Sequence, residues 1–185
     1  MLPYSLARVN TVLMLHAAAP LSTADLARSA ELAYAPAESA LATLEKRGLV
    51  RRTRRAGRDR FGPNPDSLHY PMAYATALVD LPVAEALRGD RASAVYAYGP
   101  ITEPGSATTH GDLDLLVVGE IDDPGGLMAR LALMGRRLGR LVVPLILTYD
   151  QLDQARRHGD GHVAAALGGV RILKAMPADR LPDPG

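Results

Sequence analysis

The sequence predicts an α+β protein in two parts: a helical N-terminal unit that closes on a basic β-hairpin, then an α/β unit built on a mixed sheet. Three observations lead there. Apolar residues recur at helical spacing through the first 48 residues, beginning with Leu6, Val9 and Leu13. Two short strand-like runs, Leu49–Thr53 and Asp59–Gly62, flank a Gly-containing tip at Arg54–Gly57–Arg58. Beyond Pro82, buried-strand patterns alternate with amphipathic helical ones.

In chain order, Leu6, Val9, Val12, Leu13 and His16 mark a first helix over residues 5–18, stopped by Pro20. Ser22 or Thr23 offers an N-cap for a short second helix that carries Leu26. A third helix starts near Pro36, runs through Leu41 and Leu44, and stops at Gly48. Gly62-Pro63-Asn64-Pro65-Asp66 is a turn cluster. Helical segments follow at Pro71–Val79 and Pro82–Arg88, separated by Leu81-Pro82. The remainder reads as strand Ala94–Tyr98, strand Leu113–Val118, helix Gly126–Leu138, strand Leu141–Leu147, helix Gln151–Arg157, a short helix near His162–Leu167, and strand Val170–Leu173. The expected division is residues 1–68, a linker helix over 69–81, a second unit over 82–176, and a tail over 177–185.

Composition narrows the chemistry. The 185 residues include no Cys, so disulfides, thiolate metal sites and Cys nucleophiles are excluded. No apolar stretch approaches the roughly 20 residues that span a bilayer, and the expectation is a soluble cytoplasmic protein without a membrane partner. The net charge of +1 conceals an asymmetry: residues 1–70 carry ten Lys/Arg against six Asp/Glu, and residues 71–185 carry eleven against fourteen. Between Lys46 and Arg60 there are eight basic residues and one acid, Asp59. A basic run on a hairpin suits the phosphates of a duplex, whose neutralisation releases counterions.

The pattern Leu21-Ser22-x-x-Asp25-Leu26-Ala27, then Leu41-x-x-Leu44-x-x-x-Gly48-Leu49-Val50, then the basic hairpin, resembles the winged helix-turn-helix of bacterial transcription regulators over about residues 5 to 66. The resemblance implies double-stranded DNA as partner, a homodimer, and contacts from Glu38, Ser39, Thr43, Lys46, Arg54, Arg55, Arg58 and Arg60. Ala35, Pro36 and Ala42 share the expected groove-facing side, which holds no Arg, Asn or Gln, so the hairpin is better equipped to grip backbone than the helix is to read bases.

In the second half, Asp112 and Asp114 alternate at the entry to an apolar strand, which places both carboxylates on one face, a donor set suited to a hard divalent cation. Together with the strand Val95-Tyr96-Ala97-Tyr98-Gly99, with eleven residues between Pro100 and Asp112, and with Leu138-Gly139-Arg140 leading to Thr148-Tyr149-Asp150-Gln151-Leu152, this resembles the minimal nucleotidyltransferases of the DNA polymerase β superfamily over about residues 82 to 174. The resemblance implies Gly99 at a nucleoside triphosphate and Asp112 and Asp114 as catalytic, Mg²⁺-binding acids. Three features depart from that pattern. Pro100 stands at the Ser/Gly position, Ile101–Gly111 holds no Lys or Arg, and Val143 occupies the expected place of a third carboxylate. Asp150 is expected to cap the following helix, and His110, His158 and His162 are expected to be exposed or without ligand spacing. The expected function is a DNA-binding transcriptional regulator whose second unit is a degenerate nucleotidyltransferase fold used for ligand sensing or assembly. The rival is an active Mg²⁺-dependent nucleotidyltransferase, antitoxin-like in role.

Overall fold

The computed structural model describes residues 3–17, 19–104 and 111–174; His110 and the expected tail 177–185 lie outside them. Helix α1 (Tyr4–Leu15) is buried almost all round from Val9 to Leu15, more than an amphipathic surface helix would be. It is enclosed because α3 packs on one side of it and α4 on another. Its two buried polar side chains are used across the α4 contact: Asn10 Nδ2 donates to the Ala73 carbonyl at 3.0 Å, and the Thr11 hydroxyl lies 3.5 Å from the Ala77 carbonyl.

Ser22 caps α2 (Thr23–Ser29), accepting from the Asp25 N–H, and α3 runs over Tyr34–Lys46, two residues earlier than the sequence suggests. Strands β1 (Val50–Arg55) and β2 (Arg58–Pro63) pair antiparallel and are longer than the expected runs. Their tip is only Ala56 and Gly57, with φ of 47° and 75°, the two positive values of a type I′ turn. A reciprocal pair of backbone bonds, Leu21 N–H to Phe61 at 2.8 Å and Phe61 N–H to Leu21 at 2.7 Å, adds a third short strand to the hairpin. Three helices, a bridging strand and a hairpin thus form a winged-helix-like N-terminal unit.

After α4 (Tyr70–Val79) and α5 (Val83–Ala86) comes a four-stranded sheet in the order β5-β4-β3-β6. Strands β3 (Arg91–Tyr98), β4 (Leu113–Glu120), β5 (Val142–Leu147) and β6 (Val170–Lys174) form it; β3 is antiparallel to both neighbours and β4 is parallel to β5. Helix α6 (Pro124–Leu138) makes the crossover from β4 to β5, while α7 (Tyr149–Arg157) and α8 (Gly161–Leu167) cover the other face. The cap of α7 is Thr148, in a capping box with Gln151; Asp150 sits in the first turn instead of at the cap position assigned from sequence. Among the described residues, no helix is long and apolar enough to cross a membrane.

One core runs without a break from α1, α2 and α3 through α4 and α6 to Val95, Leu113, Leu115 and Val117 on one sheet face. Segment 69–81, expected as a linker, buries Tyr70, Ala73, Tyr74, Ala77 and Leu78. Around the seam, the Ala17 N–H donates to the Leu138 carbonyl at 3.0 Å, Arg8 pairs with Glu85 at 2.7 Å, and Arg137 pairs with Glu31. Arg140, 7% exposed, sends Nε to the Leu15 carbonyl at 2.5 Å and Nη1 to the Gly111 carbonyl. Burial pulls its guanidinium below the usual arginine value, with Tyr74 and Asp112 opposing that shift.

Candidate functional site

Two clusters carry the chemistry singled out from sequence. The first is the hairpin with the exposed side of α3. Antiparallel register sorts the basic residues by face: Arg52 and Arg54 share a side with Asp59 and Phe61, whereas Arg51, Thr53, Arg55, Arg58 and Arg60 share the other. Three of these arginines are engaged inside the unit. Arg52 pairs with Glu45 at 2.8 Å and Asp59 at 3.4 Å and lies over the Phe61 ring; Arg51 pairs with Asp66; Arg60 pairs with Asp25 at 3.2 Å. Asp25 is held below the ordinary carboxylate value first by the Ser22 hydroxyl and then by Arg28, so the Arg60 contact ties the hairpin to an already organised α2 start.

Arg54, Arg55 and Arg58, all exposed around the tip, form no ion pair among the described residues. Arg55 and Arg58 face each other across the last ladder position and line, with Arg60 and Pro20, a concavity of about 350 Å³. A second groove of about 410 Å³ separates the hairpin from α2 and α3, with Glu38 and Ala42 on one wall and Arg52 and Arg58 on the other. Glu38, Ser39 and Lys46 are exposed on α3, as its period requires. The Thr43 hydroxyl donates to the Ser39 carbonyl at 3.0 Å, so its hydrogen is already committed. Tyr34, 54% exposed in the first turn of α3, belongs to this face and was missed by a reading that began the helix at Pro36.

The second cluster lies where β3 and β4 end and begin on the α7/α8 side of the sheet. Asp114 sits opposite Tyr98 on one neighbour and opposite Val143 on the other, and Asp112 precedes the first strand residue, exposed. The chain leaves β3 at Gly99 with φ of 73°; a Cβ there would lie 2.9 Å from Asp114 Oδ2, so conformation and space both call for glycine. The following turn, Gly99–Thr102, is pinned by the Tyr74 hydroxyl donating to the Ile101 carbonyl at 2.7 Å and by the Thr102 hydroxyl donating to the Gly99 carbonyl at 2.8 Å. Burial, then the Asp112 charge, push the Asp114 carboxyl above its ordinary range, while His162 pulls the other way. Burial and Asp114 together raise the Tyr98 hydroxyl.

His162 is the residue that sequence reasoning passed over. Asp160 caps α8 by accepting from the His162 and Val163 N–H groups, which swings the imidazole to 3.1 Å from the Tyr98 hydroxyl, with the rings edge to face at 5.4 Å between centroids. The Asp-Gly-His run marks the helix start, but only the sheet order brings that start to Tyr98.

No family model, curated protein or solved structure matches this chain. The chemistry of the acidic cluster is therefore read from its own donors. They are few for a pair of metal ions: Asp112 and Asp114 supply the carboxylates, the apolar Val143, 40% exposed, stands opposite Asp114, and Pro100 brings no N–H to the turn. Among the described residues, no group of three or more His, Asp or Glu is placed to hold a metal ion.

Proposed function

We propose that the protein is a DNA-binding transcriptional regulator that grips double-stranded DNA with the hairpin as a wing and α3 as the groove-facing helix. The observation that carries this reading is the trio Arg54, Arg55 and Arg58, exposed and free of ion pairs among the described residues around the hairpin tip, with Arg58 lining the groove that faces α3. A groove-facing surface of Tyr34, Glu38, Ser39 and Thr43 has little to offer base edges beyond Glu38 toward a cytosine amine, so phosphate contacts dominate and affinity is steeply salt-dependent. The reading extends to the second unit as a degenerate nucleotidyltransferase-like fold used for ligand sensing or assembly; its support is the Gly99, Asp112 and Asp114 pattern of the sequence, with Val143 opposite Asp114 and Pro100 after Gly99 as the departures that make it degenerate. Mg²⁺-dependent transfer of a nucleotide has no specific observation in its favour.

The test is fluorescence anisotropy with a mixed-sequence duplex and with a single strand of the same length. Preference for the duplex, weakening by more than about tenfold between low and physiological salt, is expected. No duplex binding at low salt would refute the reading.

A further inference from the structure

The hairpin covers a hollow that duplex binding leaves unused. Arg51, Thr53 and Gly62, on one side of the ladder, lie over a cavity of about 350 Å³ whose other walls include Leu13, Met14, Pro20, Pro65 and Tyr70. The arginine-lined concavity at the tip shares Pro20 with it. Thr53 and Arg55 are two residues apart on one strand, as are Gly62 and Arg60 on the other, so the two spaces adjoin within one step of about 7 Å along the ladder. An apolar cavity of this size with a few polar groups at its edge is the usual form of a small-molecule site, and it has room for one or two rings.

The charges at its mouth select the rest of the ligand. Of the four arginines on this side, Arg51 pairs with Asp66 and Arg60 with Asp25. Arg55 and Arg58 form no ion pair among the described residues and stand opposite each other at the last ladder position, where like charges repel unless an anion lies between them. A phosphate monoester carries about −1.5 to −2 at neutral pH and three acceptor oxygens, which matches two guanidiniums in charge and in donors. A carboxylate would leave one positive charge over. A phosphate of the duplex would meet the same arginines but leave the apolar hollow beside them empty.

We propose that the hollow under the hairpin is an effector site for a phosphate monoester carried on an apolar body of one or two rings, and that this ligand competes with the duplex for Arg55 and Arg58. The competition rests on the DNA-binding reading, whereas the site itself is measured without DNA.

The probe is 1-naphthyl phosphate; 1-naphthol lacks the anion and inorganic phosphate lacks the apolar body. Calorimetric titration of the full chain is expected to give a dissociation constant on the order of 100 μM for the ester and at least tenfold weaker binding of either control. Thr53→Trp, at an exposed position, fills the hollow and should weaken the ester at least tenfold while duplex affinity changes less than twofold. Pro65→Trp, on another wall, is a second filling variant with the same expectation. Arg55→Ala with Arg58→Ala should bring the ester down to the affinity of 1-naphthol. At ten times its dissociation constant, the ester should weaken duplex binding about elevenfold, and inorganic phosphate at the same concentration should not. Equal binding of the ester and either control, or an ester affinity untouched by both filling variants, would overturn the site. Ester binding that leaves duplex affinity unchanged would overturn the competition, and ester binding by a chain that binds no duplex at low salt would remove the DNA-binding reading instead.

Discussion

Replacing Arg54, Arg55 and Arg58 together by Ala should flatten the salt dependence of duplex binding by an amount the structure fixes. The hairpin holds six arginines between Arg51 and Arg60, but Arg51, Arg52 and Arg60 are drawn into pairs with Asp66, Glu45 and Asp25. If each of the other three neutralises one phosphate, the slope of log K against log salt falls by about 2.7, half of the roughly 5.4 that six free arginines would contribute. Over a fourfold change in salt, a slope of that size corresponds to about a 40-fold change in affinity. The three positions are exposed and form no ion pair among the described residues, so folding stability should move by no more than about 0.5 kcal/mol. Anisotropy titrations of wild type and triple variant at four or five salt concentrations give the two slopes, and urea unfolding gives the stability control. A slope difference below about 1 with stability preserved would show that phosphates are not neutralised at the tip.

Arg140→Met should cost about 2–5 kcal/mol in urea unfolding, because the Leu15 and Gly111 carbonyls lose a buried charged donor that joins the end of α1 to the entry of β4. A loss under about 1 kcal/mol would mean that the guanidinium contributes no more than an ordinary surface contact. Asp114→Asn tests the raised carboxyl: a carboxylate whose folded value lies above its unfolded one destabilises the fold once pH rises through that folded value and has no effect below both. The variant should therefore be more stable than wild type at neutral pH and equal to it in strong acid, as read from urea midpoints at the two pH values. Val143→Asp places a third carboxylate opposite Asp114; Mg²⁺ should then raise the melting temperature of this variant well beyond any shift in wild type, and equal shifts would remove the argument that residue 143 decides metal binding.

Much of the fold was legible because its signals are local. The Leu41, Leu44, Gly48 succession, the Ser22 cap and the short strand runs each declare an element through a few neighbouring residues, and all three appear where the pattern put them. Local signals misled at several boundaries, most clearly before α7: an acid ahead of a helix suggested a cap at Asp150, but Thr148 with Gln151 forms the reciprocal pair that satisfies two backbone donors. That Asp112 and Asp114 stand at the entry to an apolar strand could be read from their alternation, whereas the meeting of Tyr98 with His162 could not. Those two residues are 64 apart, and which helix start faces which strand end depends on how the sheet is ordered.

The sequence by itself determined where the charge sits and that a basic hairpin follows three helices, since these are matters of residue type at short spacing. Tertiary structure decided which charges are available. Six hairpin arginines look alike in the chain, and only packing against Asp25, Glu45 and Asp66 separates the three that are engaged from the three left at the tip. It also decided that α4 is no passive connector: the same helix that buries Tyr74 against the core leaves Met72 and Val79 outside, and a side chain's exposure is set by what the rest of the chain places around it.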